Sequence, residues 1–201
     1  MNPSPSDTTL FLEINGFAQR TPWLHAPLAT YAKFGILLFA GLLVAGWWVA
    51  RRRGITRMAA LISAGLGTVL AVTVNQPLVQ LFHEARPYTQ LHQILVLAQP
   101  STDFGFPSDH GTMAGAVTAG LFLVDPLLGS VSLLLALLMA FSRVYIAAHY
   151  PADVLAGLLL GAAVVLVGHL VVREPLTQVV RRLAGTRLQP LVTDAGATGE
   201  V

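Results

Sequence analysis

Cysteine is missing from all 201 residues, which excludes disulfides, thiolate nucleophiles and thiolate metal sites. Charge is nearly as scarce: Asp, Glu, Lys and Arg make up 11% of the chain, where a soluble domain carries about a quarter. That shortfall excludes an ordinary water-facing surface over most of the molecule. The net charge of +2 is too small to point to nucleic acid as a partner. Among the few carboxylates, Asp103, Asp109 and Asp153 have no tight ligand spacing and suggest no metal site. The first apolar run begins only near Tyr31, and no small-residue cleavage pattern follows it. It is therefore expected to be a retained span rather than a removable signal.

What is present is apolar. Hydrophobic residues make up 54% of the chain, and they fall in runs of about 20 residues, the length that crosses a bilayer as a helix. The expected fold is all-α, a polytopic membrane bundle of about five spans. Residues 1–29 form an N-terminal segment with an interfacial amphipathic helix. That helix starts at Asp7-Thr8-Thr9, carries Leu10, Phe11, Ile14 and Phe17 at helical spacing, and is broken by Gly16 and Pro22. Residues 30–172 form the membrane domain, with spans over 30–50, 58–81, 108–124, 127–148 and 152–172. The connection 82–107 carries Pro87, Pro100 and Pro107, which argue against a long helix. Residues 173–201 form a tail that is basic and then disordered.

Orientation follows from the arginines. Arg51, Arg52, Arg53 and Arg57 follow the first span, and Arg173, Arg181, Arg182 and Arg187 follow the last. The positive-inside rule then places the tail in the cytoplasm and the amino terminus outside. Three separated motifs consequently converge on the outer face. The first is Glu84-Ala85-Arg86-Pro87-Tyr88, and the second is Phe106-Pro107-Ser108-Asp109-His110-Gly111. The third is Ser142-Arg143, followed by His149 and Asp153. Arg143 lies near the end of an apolar run, where a cation is costly and marks a functional site.

These residue types suit a phosphate group. Arg86 and Arg143 are forked donors for bidentate phosphate binding. Ser108 is placed to cap the third span, so that backbone N–H groups at the positive end of a helix dipole face the same site. Pro151 supplies a second helix start beside it. His149 would attack phosphorus, with Asp153 fixing its tautomer. His110 would protonate the leaving oxygen and then activate water.

The three blocks resemble the signatures of the type-2 phosphatidic acid phosphatase superfamily: an Arg-Pro block, a Pro-Ser-x-His block and a Ser-Arg-x5-His-x3-Asp block. The third matches at every defined position. The resemblance implies the same roles for His149, His110 and Asp153, substrate binding by Arg86, Ser108, Asp109 and Arg143, and catalysis without a metal ion or other cofactor. One departure stands out: the lysine usual seven residues before the first arginine is Val79 here. His83 or Glu84 is the candidate to shape that side instead. Glu13-Ile14-Asn15-Gly16-Phe17-Ala18, Thr21-Pro22-Trp23-Leu24 and the Pro-Ser-Asp-His form of the second block look like bacitracin-resistance-type undecaprenyl-diphosphate phosphatases. That resemblance implies a lipid diphosphate substrate, a bacterial inner membrane and recycling of the cell-wall lipid carrier.

Other readings stay open at this point. Phosphatidylglycerol-phosphate or phosphatidic acid phosphatase activity uses the same motifs, and a non-catalytic phospholipid-binding protein could keep the anion pocket. Taken singly, His149 and Asp153 form an ordinary helix-start cap, and His110 is a solvated histidine. Asp109, at the variable position of the second block, either meets substrate, caps the helix or repels an anion. Asn75 and Gln76 are costly in lipid and are expected to make interhelical hydrogen bonds. The sequence sets no oligomeric state.

Overall fold

The computed structural model describes residues 3–194, and every regular element among them is helical. The first, α1 (Pro5–Arg20), starts earlier than Asp7 because the Ser4 hydroxyl accepts the Asp7 N–H at 3.2 Å and Pro5 needs no partner. It passes straight through Gly16 and ends at Thr21. The expected tail disorder beyond Asp194 lies outside the described residues.

The first expected span is divided. Helices α2 (His25–Phe34) and α3 (Ile36–Arg53) meet at Gly35 with a bend of 54°. A Cβ at Gly35 would lie 2.6 Å from the Tyr31 carbonyl oxygen and 2.8 Å from the Met139 methyl group, so only glycine admits this approach. Then follow α4 (Ile55–Phe82), a single turn α5 (Pro87–Gln90), α6 (Asp109–Val124), α7 (Pro126–Tyr145), α8 (Pro151–Ala184) and a short α9 (Gln189–Val192). Three of the helices, α4, α7 and α8, are long and apolar enough to cross a bilayer, and the bent α2–α3 pair makes a fourth candidate.

The remaining expected span is α6, whose 16 residues give a rod of about 24 Å. It packs against α3, α4, α7 and α8 and is buried on every side from Ala114 to Leu121. Its small residues make this possible. Gly111 and Gly115 of α6 face Gly157 and Gly161 of α8. A Cβ at Gly115 would lie 2.1 Å from the Leu158 carbonyl oxygen, and one at Gly161 would lie 1.8 Å from that of Thr112. The two helices touch backbone to backbone. Large apolar residues instead point outward, as do Leu37, Leu134, Leu159 and Leu170, where lipid costs them nothing.

The helix α8 runs past the expected 172 to Ala184, and the chain then returns to the bundle. Val180 and Val192 join the main core cluster, the Trp47 indole donates to the Leu191 carbonyl at 2.9 Å, and Arg51 pairs with Asp194. Arg53 pairs with Asp125 at 2.6 Å. These charges sit at the end of the bundle where α3 meets α4 and α6 meets α7. The three motif blocks gather at the opposite end.

Candidate active site

Two local devices position the third block. The C-terminus of α7 is closed by a left-handed Ala147 (φ 63°), with the Ala148 N–H donating to the Arg143 carbonyl at 3.0 Å. This hook turns His149 inward to 2% exposure. The start of α8 is a capping box in which Asp153 Oδ2 accepts the Tyr150 N–H at 2.9 Å. The same oxygen lies 3.3 Å from His149 Nδ1. Capping and histidine support are thus one carboxylate's work, not alternatives.

The tautomer of His149 follows from its partners. Nε2 lies 3.2 Å from an Arg86 amino group and 3.3 Å from one of Arg143. Guanidinium groups only donate, so Nε2 carries the lone pair and Nδ1 the proton, given to Asp153. Burial, and then the charges of Arg143 and Arg86, hold His149 well below the ordinary imidazole range. A neutral imidazole results, with its nucleophilic nitrogen between two cations.

The second block is tied to the third through the backbone. Ser108 N–H donates to the Asp153 carbonyl at 3.0 Å, and the buried Ser108 hydroxyl caps α6 by accepting the Gly111 N–H at 3.4 Å. His110 enters from the first turn of α6. In the first block, Arg86 also donates to the Asp103 and Ala148 carbonyls, both at 3.0 Å. A cavity of about 480 Å³ is lined by the polar Arg86, Arg143 and His110 and by the apolar Ala29, Phe34, Leu97 and Ile146. Buried Arg143 Nε finds no acceptor among the described residues.

Asp109 is placed differently from its neighbours in the block. Its carboxylate accepts from Asn75 at 2.6 Å and Gln76 at 2.9 Å, and it does not line the cavity. The expected interhelical hydrogen bonds of Asn75 and Gln76 are therefore made to Asp109. Val79 is buried in α4, and His83, left-handed at φ 49°, meets Phe104 edge-on at 4.5 Å between ring centres. Among the described residues, no cluster of three or more acidic or imidazole side chains could hold a metal ion.

Two groups near the site, Glu84 (named from the sequence only as a candidate to shape the side of Val79) and Lys33, had no chemical role assigned from the sequence. Glu84 is buried at 4% exposure, and burial, then the neighbouring Asp153 carboxylate, pushes its carboxyl up to about 7. Asp153 Oδ1 has no donor among the described residues, and a proton on Glu84 would provide one, since two neighbouring carboxylates favour sharing a proton. The second group is Lys33, from the last turn of α2, which lines the cavity. A lone cation inside an apolar run was the available signal, the same one that singled out Arg143.

Known proteins are similar to this chain over about three quarters of its length. The undecaprenyl-diphosphatase BcrC of Bacillus subtilis is 26% identical over 149 residues, covering 74% of this chain and 75% of that protein. The putative undecaprenyl-diphosphatase YbjG of Escherichia coli is 30% identical over 155 residues, covering 76% of each. Among solved structures, Aquifex aeolicus LpxE has the same fold, with a TM-score of 0.59 at 23% identity over 80% of this chain and 93% of that one. The PAP2 superfamily pattern matches residues 60–175, a stretch that holds all three blocks and most of the helices that bring them together, and the chain belongs to that superfamily.

Proposed function

We propose that this protein is a membrane lipid phosphatase that hydrolyses undecaprenyl diphosphate to undecaprenyl phosphate through a phosphohistidine on His149. The observation that carries the reading is the lone pair of His149 Nε2, held between Arg86 and Arg143 while Asp153 backs the other nitrogen. A terminal phosphate bound by the two guanidinium groups would replace their bonds to Nε2 and bring phosphorus onto it. The similarity to undecaprenyl-diphosphatases supports the diphosphate, and the apolar wall of the cavity supports a lipid chain beside the head group.

In the first step Nε2 forms a bond to the terminal phosphorus and the bridging P–O bond breaks. His110 gives its proton to the bridging oxygen, so that undecaprenyl phosphate leaves. The imidazolium-like phosphohistidine is stabilised by its Nδ1–H bond to Asp153. Water then attacks the same phosphorus, His110 takes the water proton, and inorganic phosphate departs as Nε2 recovers its lone pair. The protein's contribution is positioning and fixed charge, which is most of what phosphoryl transfer requires. With the arginine-rich end in the cytoplasm, the site opens on the outer leaflet of the bacterial inner membrane.

The test is phosphate release by the purified chain in detergent, with undecaprenyl diphosphate and phosphatidate as parallel substrates and with chelator added. Diphosphate hydrolysis that survives chelation and is lost in His149→Ala is the expected result. Full activity of His149→Ala refutes the nucleophile, and release from phosphatidate alone refutes the substrate.

A further inference from the structure

The chain contains a single lysine, Lys33, among its twelve basic residues. It sits in the last turn of α2, within the bent segment that is apolar enough to cross a bilayer. Placing an ammonium there is costly, and among the described residues no carboxylate compensates it: its one charge-related contact is the Phe34 ring, with Nζ 5.2 Å from the centre. The bend at Gly35 turns this part of α2 toward the site. The Ala32 carbonyl, next to Lys33, accepts a hydrogen bond from Arg143 at 3.4 Å. Lys33, Arg86 and Arg143 all line one cavity, and no Asp or Glu lines it.

Three like charges around a cavity free of carboxylates repel one another unless an anion fills it. Two of them are already engaged with His149 Nε2, where the transferred phosphate must sit. The third comes from a different helix, with its ammonium 5.2 Å from the Phe34 ring centre in the same cavity lining, and is free to meet the lipid-linked phosphate. A diphosphate exceeds a monophosphate by one anionic group, and this cavity exceeds the arginine pair by one cation.

We propose that Lys33 binds the lipid-proximal phosphate of a lipid diphosphate and sets the preference for diphosphates over monophosphates. The inference rests on the phosphatase reading of the site and adds its specificity. It also explains how the position of Val79 can be apolar: the cation is delivered from α2 rather than from α4.

The test compares farnesyl diphosphate with farnesyl monophosphate, which share a lipid and differ by one phosphate, using the full-length chain in detergent. Lys33→Met removes a cation from an apolar helix, so the bundle is expected to assemble. Its kcat/KM is expected to fall about 10- to 100-fold further on the diphosphate than on the monophosphate, with most of the change in KM, and Lys33→Arg should recover most of the loss. Competitive inhibition reads the same preference without turnover: inorganic pyrophosphate should inhibit the wild type more strongly than orthophosphate, and Lys33→Met should erase that difference. Equal losses on both substrates, or no loss, overturn the role of Lys33 while leaving the phosphatase reading intact. A wild-type protein that hydrolyses the monophosphate but not the diphosphate overturns both the role of Lys33 and the diphosphate substrate, and one that hydrolyses neither overturns the phosphatase reading.

Discussion

Replacing Gly161 with alanine would drive a methyl group into the backbone that joins the two halves of the site. The new Cβ would stand 1.8 Å from the Thr112 carbonyl oxygen and 2.7 Å from the Ala116 nitrogen. An ordinary carbon–oxygen contact is about 3.3 Å, so α6 and α8 must part by about 1.5 Å there. His110 lies just ahead of Thr112 on α6, and Asp153 with His149 lies at the head of α8. The separation therefore falls between the proposed proton donor and the proposed nucleophile. A misplacement of about 1 Å costs up to about 100-fold in rate, so kcat should fall at least that far. Arg86 and Arg143 sit on the 82–107 connection and on α7, outside the parted pair, so KM should change far less. The control is Gly168→Ala, also on α8, whose Cβ meets nothing within 4 Å and which should keep wild-type kinetics. Steady-state phosphate release from farnesyl diphosphate, with size-exclusion profiles confirming intact protein, decides the matter. Wild-type kcat in a monodisperse Gly161→Ala protein would refute the idea that the glycine contact sets the catalytic distance.

Other expectations follow from single contacts. Glu84→Gln keeps a neutral donor for Asp153 and should stay within a few-fold of wild type, whereas Glu84→Ala leaves Asp153 Oδ1 bare and should lower kcat by about 10-fold or more, read in the same assay. His149 is held neutral well below its usual range of about 6.5, so the unfolded chain binds the extra proton first. Its contribution to stability is full above that range and shrinks as pH falls through it. The thermal midpoint should thus drop between pH 7.5 and 5.5, and His149→Gln should lessen the drop. Asn15 pairs with both backbone groups of Leu95, at 2.7 and 3.0 Å. Asn15→Ala should cost about 1–3 kcal/mol and speed hydrogen exchange at Leu95. The cysteine-free chain also permits a sidedness test. In intact cells an impermeant maleimide should label His92→Cys but not Arg187→Cys, and the reverse pattern would place the site in the cytoplasm.

The parts of the site legible in the sequence were those encoded by local geometry. Asp153 stands one turn beyond His149, so a cap and a histidine partner could be read from spacing alone. Ser108 before an apolar run announced a helix start in the same way. Asp109 could not be placed, because its direction depends on Asn75 and Gln76 of another helix. The break at Gly35 was hidden inside an uninterrupted apolar run, since it answers to the Met139 side chain of α7 rather than to a local breaker. Lys33 was visible but unassigned, because only that bend turns it toward Arg143. The tail past 173 looked merely basic, while its packing depends on Trp47 and Arg51, far back in the chain.

Asp7, near the start of α1, accepts the Ala152 N–H at 2.9 Å and so satisfies one of the free donors at the head of α8. Beside it, Phe11 of α1 meets Tyr150 edge-on at 5.4 Å between ring centres. Helix α1 is thus tied to α8, the last long helix described, and loop closure spans most of the chain. The histidine hook between α7 and α8 acquires its outer brace only when synthesis of the bundle is nearly done. A nascent chain halted before α8 has His149 but lacks the Asp153 carboxylate that backs its ring.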